Sequence, residues 1–262
     1  MKLFDKKNKK VSFGQTEHKT LHKNLNFTAT EQYKLLRTNI DFTLPQDEKC
    51  HVIGVTSSMR GEGKSTTAVN LSYVLAEKGS RVLLIDGDLR IPSVAKKLQI
   101  SSTPGLTTLL MNKSTEVEQF KSTLLDTWYI LPAGEIPPNP SELLGSRRME
   151  NLLLALKEVF DYIIIDLPPV NIVSDALSVS PFISGMVVVI REEYTEKKEL
   201  THCMRQLSLS NVNVLGCVLN EAKAGSASYG KYKKYKYYKY YYKTGKDESD
   251  GNESDVKENE KA

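Results

Sequence analysis

The sequence predicts an α/β fold with a doubly wound, mostly parallel sheet, followed by a disordered, tyrosine-rich C-terminal tail. Three runs, 81–85, 161–165 and 186–190, are continuously apolar apart from the first residues Arg81 and Asp161, instead of alternating. Strands that are covered on both faces have this pattern, which is typical of parallel sheets. Helical stretches separate these runs, and repeated strand–helix units indicate a sheet with helices on both faces.

The predicted elements follow one another along the chain. A helix over about 29–41 precedes the first strand. Strands bounded by turn residues are predicted at 51–56, 81–85, 128–131, 161–165, 186–190 and 212–218. The longer helices between them are predicted at 64–78, 141–159 and 195–208.

Composition divides the 262 residues into three segments. Residues 1–27 begin with a cluster of lysines and are predicted to be flexible and basic. Residues 28–224 are predicted to form one globular domain, and 225–262 to form a disordered tail. Both ends lack the apolar residues that offset the entropy of ordering.

Charge, cysteine content and hydropathy exclude several classes of protein. The net charge of +4 and pI of about 8.7 are too mild to indicate a nucleic-acid partner. Cys50, Cys203 and Cys217 lie far apart, which predicts separate buried thiols in a reducing compartment. No apolar run is long enough to span a membrane, so we expect a cytoplasmic protein.

A glycine-rich loop after the first strand predicts a phosphate-binding site. The sequence TSSMRGEGKST runs from the end of that strand into the helix at 64–78. Gly61 and Gly63 permit a backbone whose amides point at a phosphate. Lys64 would reach the β- and γ-phosphates, and the Ser65 hydroxyl would bind Mg²⁺. Ser58 stands where the usual pattern has its first glycine.

Three carboxylates follow buried strands. Asp86 and Asp88 come at the end of the second strand, and Asp166 follows the apolar run at 161–165. Ligands of open α/β sheets bind at the carboxyl ends of the strands. A carboxylate in such a buried position requires a cation or hydrogen-bond donors, and Mg²⁺ would supply the charge. Any one of these acids alone is equally consistent with a strand cap.

These features resemble those of the bacterial tyrosine kinases (BY-kinases) of capsule and exopolysaccharide synthesis. The resemblance covers about 28–242 and rests on the loop, the DGDLR and IIIDLPP motifs, PPNPSELL at 137–144 and a tyrosine cluster. It implies a P-loop kinase domain over 28–224 that uses ATP and Mg²⁺ and phosphorylates tyrosines of its own tail, between subunits. It also implies control of polysaccharide synthesis and export, with a cognate tyrosine phosphatase. The implied activator is the cytoplasmic tail of a membrane polysaccharide co-polymerase, which recruits the kinase to the inner face of the membrane.

The resemblance also implies a role for individual residues. Nucleotide binding falls to Gly61, Glu62, Gly63, Lys64, Ser65 and Thr66. Mg²⁺ binding falls to Ser65, Asp88 and Asp166, and catalysis to Lys64, Asp86, Asp88 and Asp166. Among the acids, we expect Asp86 to lie nearest the acceptor phenol. Asn220, just past the last predicted strand, is our candidate for reading an adenine edge, with a turn-forming asparagine as the alternative.

The tail contains the candidate phosphoacceptors. Of the thirteen tyrosines of the chain, eight lie within 229–242: Tyr229, Tyr232, Tyr235, Tyr237, Tyr238, Tyr240, Tyr241 and Tyr242. Glycines and serines before this cluster indicate flexibility. Interleaved lysines would favour docking at an acidic, phosphate-rich site. There are two alternatives: a sticky basic segment without function, and a segment whose aromatic rings stack on single-stranded nucleic acid.

The first helix contains candidate contacts between subunits. Glu31, Lys34 and Arg37 are three residues apart and share a helix face. An ordinary solvated helix explains this spacing equally well. The BY-kinase family has E-x-x-R-x-x-R here and assembles into a ring, which makes these residues candidates for a homo-oligomeric interface. Lys34 retains the charge of the first arginine without its planar fork.

A regulatory ATPase similar to MinD and ParA, without kinase activity, is the alternative for the whole domain. That group has a second lysine near the start of the loop. In an alignment on Gly63 and Lys64, that lysine falls at Met59, which cannot replace it.

Overall fold

A six-stranded parallel sheet forms the centre of the molecule, as the sequence predicts. The computed structural model describes residues 25–45, 47–111, 117–122 and 124–223. The strands are β1 (His51–Ser57), β2 (Val82–Asp86), β3 (Trp128–Leu131), β4 (Tyr162–Asp166), β5 (Gly185–Arg191) and β6 (Val214–Asn220). Their order across the sheet is β3-β2-β4-β1-β5-β6, and every pair of neighbours is parallel.

Eight α-helices connect the strands in the described part of the chain. They are α1 (Phe27–Thr43), α2 (Lys64–Glu77), α3 (Val94–Leu98), α4 (Leu106–Leu110), α5 (Pro140–Leu144), α6 (Arg147–Lys157), α7 (Asp175–Val179) and α8 (Lys197–Leu209). Two short 3₁₀ helices, Val117–Phe120 and Ser180–Phe182, complete the set.

The sheet separates two apolar cores. On one face, β1 side chains such as Ile53 and Val55 pack with α1, α2 and α3. On the other face, residues such as Val52 pack with α4, α5, α6, α7 and α8. Alternate residues of one strand therefore enter opposite cores, which explains why the strands are apolar throughout.

Strand register brings two of the predicted acids together. Asp86, the last residue of β2, is the register partner of Asp166, the last residue of β4. Register partners on parallel strands project to the same side of the sheet. The strand β1 lies beside β4 and leads into the glycine-rich loop, so loop and acids meet at one edge.

Several predicted bounds are wrong. The helix predicted at 141–159 is two helices, because α5 ends before Gly145 and the side chain of Ser146 accepts from the Met149 amide to cap α6. The helices α3, α4 and α7 were not predicted, since five residues are too few to show a helical period. Asn220 is the last residue of β6 and does not lie past it.

The cysteine prediction holds for two residues of three. Cys50 and Cys203 are buried free thiols, whereas Cys217 is exposed, contrary to the prediction. Burial raises the pKa of both buried thiols to about 12.

The ends of the chain contain predictions that the structure leaves open. Asn220 ends one compact unit and Glu221 begins a second, of which only 221–223 are described. The predicted basic segment, up to residue 24, and the whole tyrosine cluster lie outside the described residues. Within the described part, no helix has the length and apolar character needed to cross a bilayer.

Candidate active site

The glycine-rich loop has the backbone of a phosphate cradle. Gly61 and Gly63 have φ angles of 82° and 96°, in the left-handed region that favours glycine. Gly63 is the N-cap of α2, so the first amides of that helix face the loop. A Cβ atom on Gly63 would also collide with the side-chain amide of Asn220.

Glu62 fixes the loop from within, a structural role that the sequence did not predict. Its carboxylate is buried and accepts from the Ser58 hydroxyl at 2.7 Å and from the Met59 amide at 2.8 Å. The Thr195 hydroxyl donates to the same carboxylate. Ser58, which departs from the usual glycine, therefore supplies a hydrogen bond that closes the loop. The predicted contact of Glu62 with nucleotide stays a prediction.

Residues on β5, on the loop that follows it and on β6 hold the outer side of the cradle. The Arg191 guanidinium donates to the Gly61 carbonyl at 3.2 Å, and the Tyr194 hydroxyl to the Arg60 carbonyl at 3.1 Å. Asn220 Nδ2 donates to the Glu62 carbonyl at 3.0 Å. Sequence reasoning did not identify Arg191 and Tyr194, because they lie some 130 residues after the loop and belong to no motif. Base reading by Asn220 stays a prediction, with one of its N–H donors engaged on the loop.

Lys64 brings the two strand-end motifs together. Its ammonium lies 3.0 Å from Asp88 Oδ2 and 3.3 Å from Asp166 Oδ1, and it also donates to the Ser65 hydroxyl at 3.2 Å. Burial by itself would lower the pKa of Lys64, but the charges of Asp166 and Asp88 outweigh it, so the pKa is raised. Lys64 is therefore held as a cation inside the site.

Asp166 retains an oxygen for a ligand. Its side chain is fully buried, and Oδ2 has no hydrogen-bond partner among the described residues. Burial raises the pKa of this carboxyl, and the positive charge of Lys64 opposes that rise. A buried, unpaired carboxylate oxygen at the mouth of a phosphate cradle is suited to a cation.

Asp86 is engaged by backbone amides. Its Oδ2 accepts from Ser93 at 3.0 Å and Val94 at 2.9 Å, at the start of α3, while Oδ1 accepts from Asp88 at 3.3 Å. Burial and then the charge of Asp166 raise the pKa of Asp86 to about 7. These contacts indicate that Asp86 positions the β2–α3 turn. They give no support to the expectation that it lies nearest the acceptor, and Asp88 is the more exposed of the two.

The donor set at this edge fits Mg²⁺. Ser65, Asp88 and Asp166 offer hydroxyl and carboxylate oxygens around Lys64, and oxygen is the ligand that Mg²⁺ prefers. Among the described residues, no group of three or more His, Cys, Asp or Glu side chains could hold a metal ion without help. Mg²⁺ usually binds one or two carboxylates together with substrate phosphates, so a larger protein cage is not required.

A second ion pair connects the DGDLR and PPNPSELL motifs. Arg90 makes two contacts with the buried carboxylate of Asp175, from Nε at 2.9 Å and from a terminal nitrogen at 3.0 Å. Ser141, in the second motif, also donates to Asp175. Planar pairing of this kind fixes geometry as well as charge. Asp175, at the start of α7, was not singled out from the sequence.

Two further predicted residues have partners within the chain. Thr66 Oγ1 accepts from Lys97 Nζ at 3.1 Å, so a lysine of α3 lies close to the loop.

Arg37 donates to the Val74 carbonyl of α2 at 2.8 Å. Arg37 thus fastens α1 to α2, and an additional role at a subunit interface stays a prediction.

Glu31 and Lys34 form a salt bridge with each other within α1. Lys34 Nζ lies 3.0 Å from Glu31 Oε1, and both side chains are partly exposed. The pair matches the solvated helix that the spacing also allowed, and its place at a subunit interface stays a prediction.

Comparisons with known proteins found one matching domain family and several similar tyrosine kinases. A family model described as an AAA domain matches residues 50–212. The tyrosine-protein kinase YwqD of Bacillus subtilis (strain 168) is 38% identical over 194 residues, which are 74% of this chain and 81% of that protein. The kinase domain of the Escherichia coli tyrosine kinase ETK is similar with a TM-score of 0.67 and 29% identity, covering 76% of this chain and 79% of that one.

A more distant likeness bears on the alternative of a regulatory ATPase. The septum site-determining protein MinD from Pyrococcus horikoshii, complexed with Mg-ADP, is similar with a TM-score of 0.56 and 25% identity. It covers 68% of this chain, and the match spans 72% of MinD. Both identity and TM-score are lower than for the kinases, so the similarity to MinD reflects a shared P-loop fold.

Proposed function

The chain belongs to the family of bacterial tyrosine-protein kinases, and we propose that it transfers the γ-phosphoryl group of ATP to tyrosines of its own C-terminal cluster. The transfer occurs between subunits, so that the tail of one copy enters the site of another. The observation that carries the proposal is the arrangement of Lys64 between Asp88 and Asp166 at the mouth of the phosphate cradle.

The residues of the site suit a reaction in which charge moves across phosphate oxygens. Phosphoryl transfer relies on positioning and electrostatic stabilisation more than on covalent chemistry by the protein. The loop amides and Lys64 bind the phosphates and stabilise negative charge on them. Ser65, Asp88 and Asp166 would hold Mg²⁺, which would supply further positive charge at the same phosphates. Asp86 keeps the β2–α3 turn, and with it Asp88, in place through its amide contacts.

Charge favours the tail as the acceptor. The lysines among the eight tyrosines make the cluster basic, while the site contains buried carboxylates and would hold nucleotide phosphates. Attraction therefore favours docking of an unmodified tail. Each phosphate adds a charge of about −1.5 to −2 and reverses this attraction, so the modified tail is released.

The biological setting follows from the family resemblance. The kinase regulates synthesis and export of a capsular or exopolysaccharide, in a homo-oligomeric ring that contacts through α1. The cytoplasmic tail of a membrane co-polymerase activates it and recruits it to the inner face of the membrane. A cognate tyrosine phosphatase removes the phosphates from the tail.

A mixing experiment tests transfer between subunits. One copy has Lys64→Met with an intact tail, and the other has an intact site with all eight tail tyrosines changed to phenylalanine. With ATP and Mg²⁺, mass spectrometry should find phosphotyrosine on the tail of the Lys64→Met copy, and none when that copy is incubated alone. An unmodified tail in the mixture, together with a modified tail in the wild-type chain, would show transfer within one chain.

A further inference from the structure

Tyr194 is an exposed phenol at the edge of the phosphate cradle. It lies between β5 and α8, its side chain is 53% exposed, and its hydroxyl donates to the Arg60 carbonyl at 3.1 Å. A Cβ atom on Gly61 would approach the same hydroxyl to 3.2 Å. The proposed function gives this phenol no chemical role.

Accessibility separates Tyr194 from the other tyrosines of the domain. Five tyrosines precede the tail cluster, and all five lie in described parts of the chain. Tyr73 and Tyr129 are buried, and Tyr33 and Tyr162 are half-buried. Burial raises the pKa of Tyr33, Tyr73 and Tyr162, because it disfavours a phenolate. Among the described tyrosines, Tyr194 is the one whose side chain is exposed, so it is the candidate for reaching the site of another copy.

We propose that Tyr194 is a further phosphoacceptor of this kinase, modified by another copy of the chain, and that its phosphorylation loosens the phosphate cradle. The inference rests on the proposed function, because it uses the same ATP-dependent transfer. The bond between the γ-phosphorus and the bridging oxygen of ADP breaks, and a bond to Tyr194 Oη forms. The phenolic proton is released to solvent, and ADP is the leaving group.

Modification would remove one contact that holds the cradle and weaken a second. Phosphotyrosine has no hydroxyl proton to donate, so the hydrogen bond to the Arg60 carbonyl is lost. The added charge of about −1.5 to −2 repels that carbonyl oxygen and attracts a nearby guanidinium. Arg191 is in position to respond, because its guanidinium lies over the Tyr194 ring, 5.0 Å from the centroid, and donates to the Gly61 carbonyl. Competition for Arg191 weakens the second contact.

The sequence around Tyr194 predicts slower modification than in the tail. Over 191–198 the three acids, Glu192, Glu193 and Glu196, are balanced by three bases, Arg191, Lys197 and Lys198, whereas lysines surround the tail tyrosines. A segment without net positive charge is attracted less strongly than the tail by a site that contains carboxylates and phosphates. Tail phosphorylation therefore precedes phosphorylation of Tyr194, and the slower event limits nucleotide binding after the tail has been modified.

The test uses the full chain with all eight tail tyrosines changed to phenylalanine. After incubation with ATP and Mg²⁺, peptide mass spectrometry should locate phosphate on Tyr194, and none when Lys64→Met is added to the same chain. In a time course of the wild-type chain, phosphate on the tail should appear first. A phosphorylated wild-type tail with Tyr194 unmodified would overturn this inference and leave the proposed function standing. Absence of phosphotyrosine from every chain would contradict both.

ADP binding tests the effect on the cradle. The chain with the eight tail tyrosines changed to phenylalanine, phosphorylated on Tyr194 and then desalted, should bind ADP roughly 2- to 10-fold more weakly than before incubation, the range expected for loss of one hydrogen bond. A matched chain that also has Tyr194→Phe should bind ADP equally before and after incubation with ATP. Equal ADP affinity of the first chain before and after phosphorylation of Tyr194 would overturn the loosening of the cradle.

Discussion

The strands β1 and β4 have a lysine–carboxylate pair at each end, and the two pairs differ in burial. At the carboxyl ends, Lys64 and Asp166 have side chains that are 12% and 0% exposed. At the amino ends, Lys49 and Glu158 lie 2.9 Å apart with side chains that are 68% and 75% exposed. Water solvates each charge of the exposed pair whether or not the opposite charge is present. Each charge of the buried pair depends on the other for its stabilisation. Burial thus distinguishes a pair that is suited to catalysis from an ordinary surface salt bridge.

The largest effect is expected when the buried cation is removed. Lys64→Met should abolish phosphotransfer, because loop amides alone do not neutralise the phosphates. It should also lower the free energy of unfolding by about 3–5 kcal/mol, since it leaves buried carboxylates without their cation. Phosphotyrosine immunoblots and urea unfolding measure the two effects.

The exposed pair provides the matched control for that substitution. Lys49→Met should change the free energy of unfolding by less than about 1 kcal/mol and leave phosphotransfer intact. Equal losses of stability in the two variants would refute the contrast between the two ends of the sheet.

The substitution Asp166→Asn removes the negative charge of the same buried pair. It should lower the free energy of unfolding by less than Lys64→Met does. Asp166→Asn should eliminate most phosphotransfer and make activity insensitive to added Mg²⁺, because the unpaired Oδ2 oxygen is lost. Adding Asp166→Asn to Lys64→Met should recover part of the lost stability, since one uncompensated charge disappears. A double-mutant cycle by urea unfolding measures this coupling, and strictly additive losses would contradict it.

The pair of Arg90 and Asp175 tests an intermediate case. Asp175 is buried, but Arg90 is partly exposed, so solvent screening weakens the attraction between their charges. Arg90→Ala should lower the free energy of unfolding by about 1–3 kcal/mol, because a buried carboxylate keeps only its hydroxyl partner. Arg205→Ala, on an exposed position of α8, is the control and should cost less than about 0.5 kcal/mol. Equal costs for the two variants would contradict the assignment.

The smallest effect concerns the departure from the usual loop pattern. Ser58→Gly removes one donor to Glu62, which retains the Met59 amide and the Thr195 hydroxyl. We expect a loss of about 1 kcal/mol in stability and a modest loss of ADP affinity, measured by calorimetry. Tighter ADP binding in this variant would show that Ser58 does not support the cradle.

The sequence predicted the long elements better than the short ones. The runs that form β4 and β5 are continuous and apolar, because alternate side chains of each strand enter the two opposite cores. A continuous apolar run of this length is typical of a strand covered on both faces. The three missed helices have five residues each, and packing against neighbours stabilises them more than their own propensity does. The division between α5 and α6 depends on the Ser146 cap, which looks like any other serine in a helical pattern.

The sequence by itself determined the sheet, the phosphate cradle and the identity of its lysine and strand-end acids, because these depend on local pattern and on where strands end. Only the tertiary structure decided how the acids differ. Strand register places Asp86 beside Asp166, and amides of α3 engage the first while the second keeps a bare oxygen. It also decided that Arg191, Tyr194 and the Thr195 hydroxyl bound by Glu62 hold the cradle. Contacts between residues more than a hundred positions apart leave no periodic trace in a sequence, because they depend on the packing of whole strands and helices.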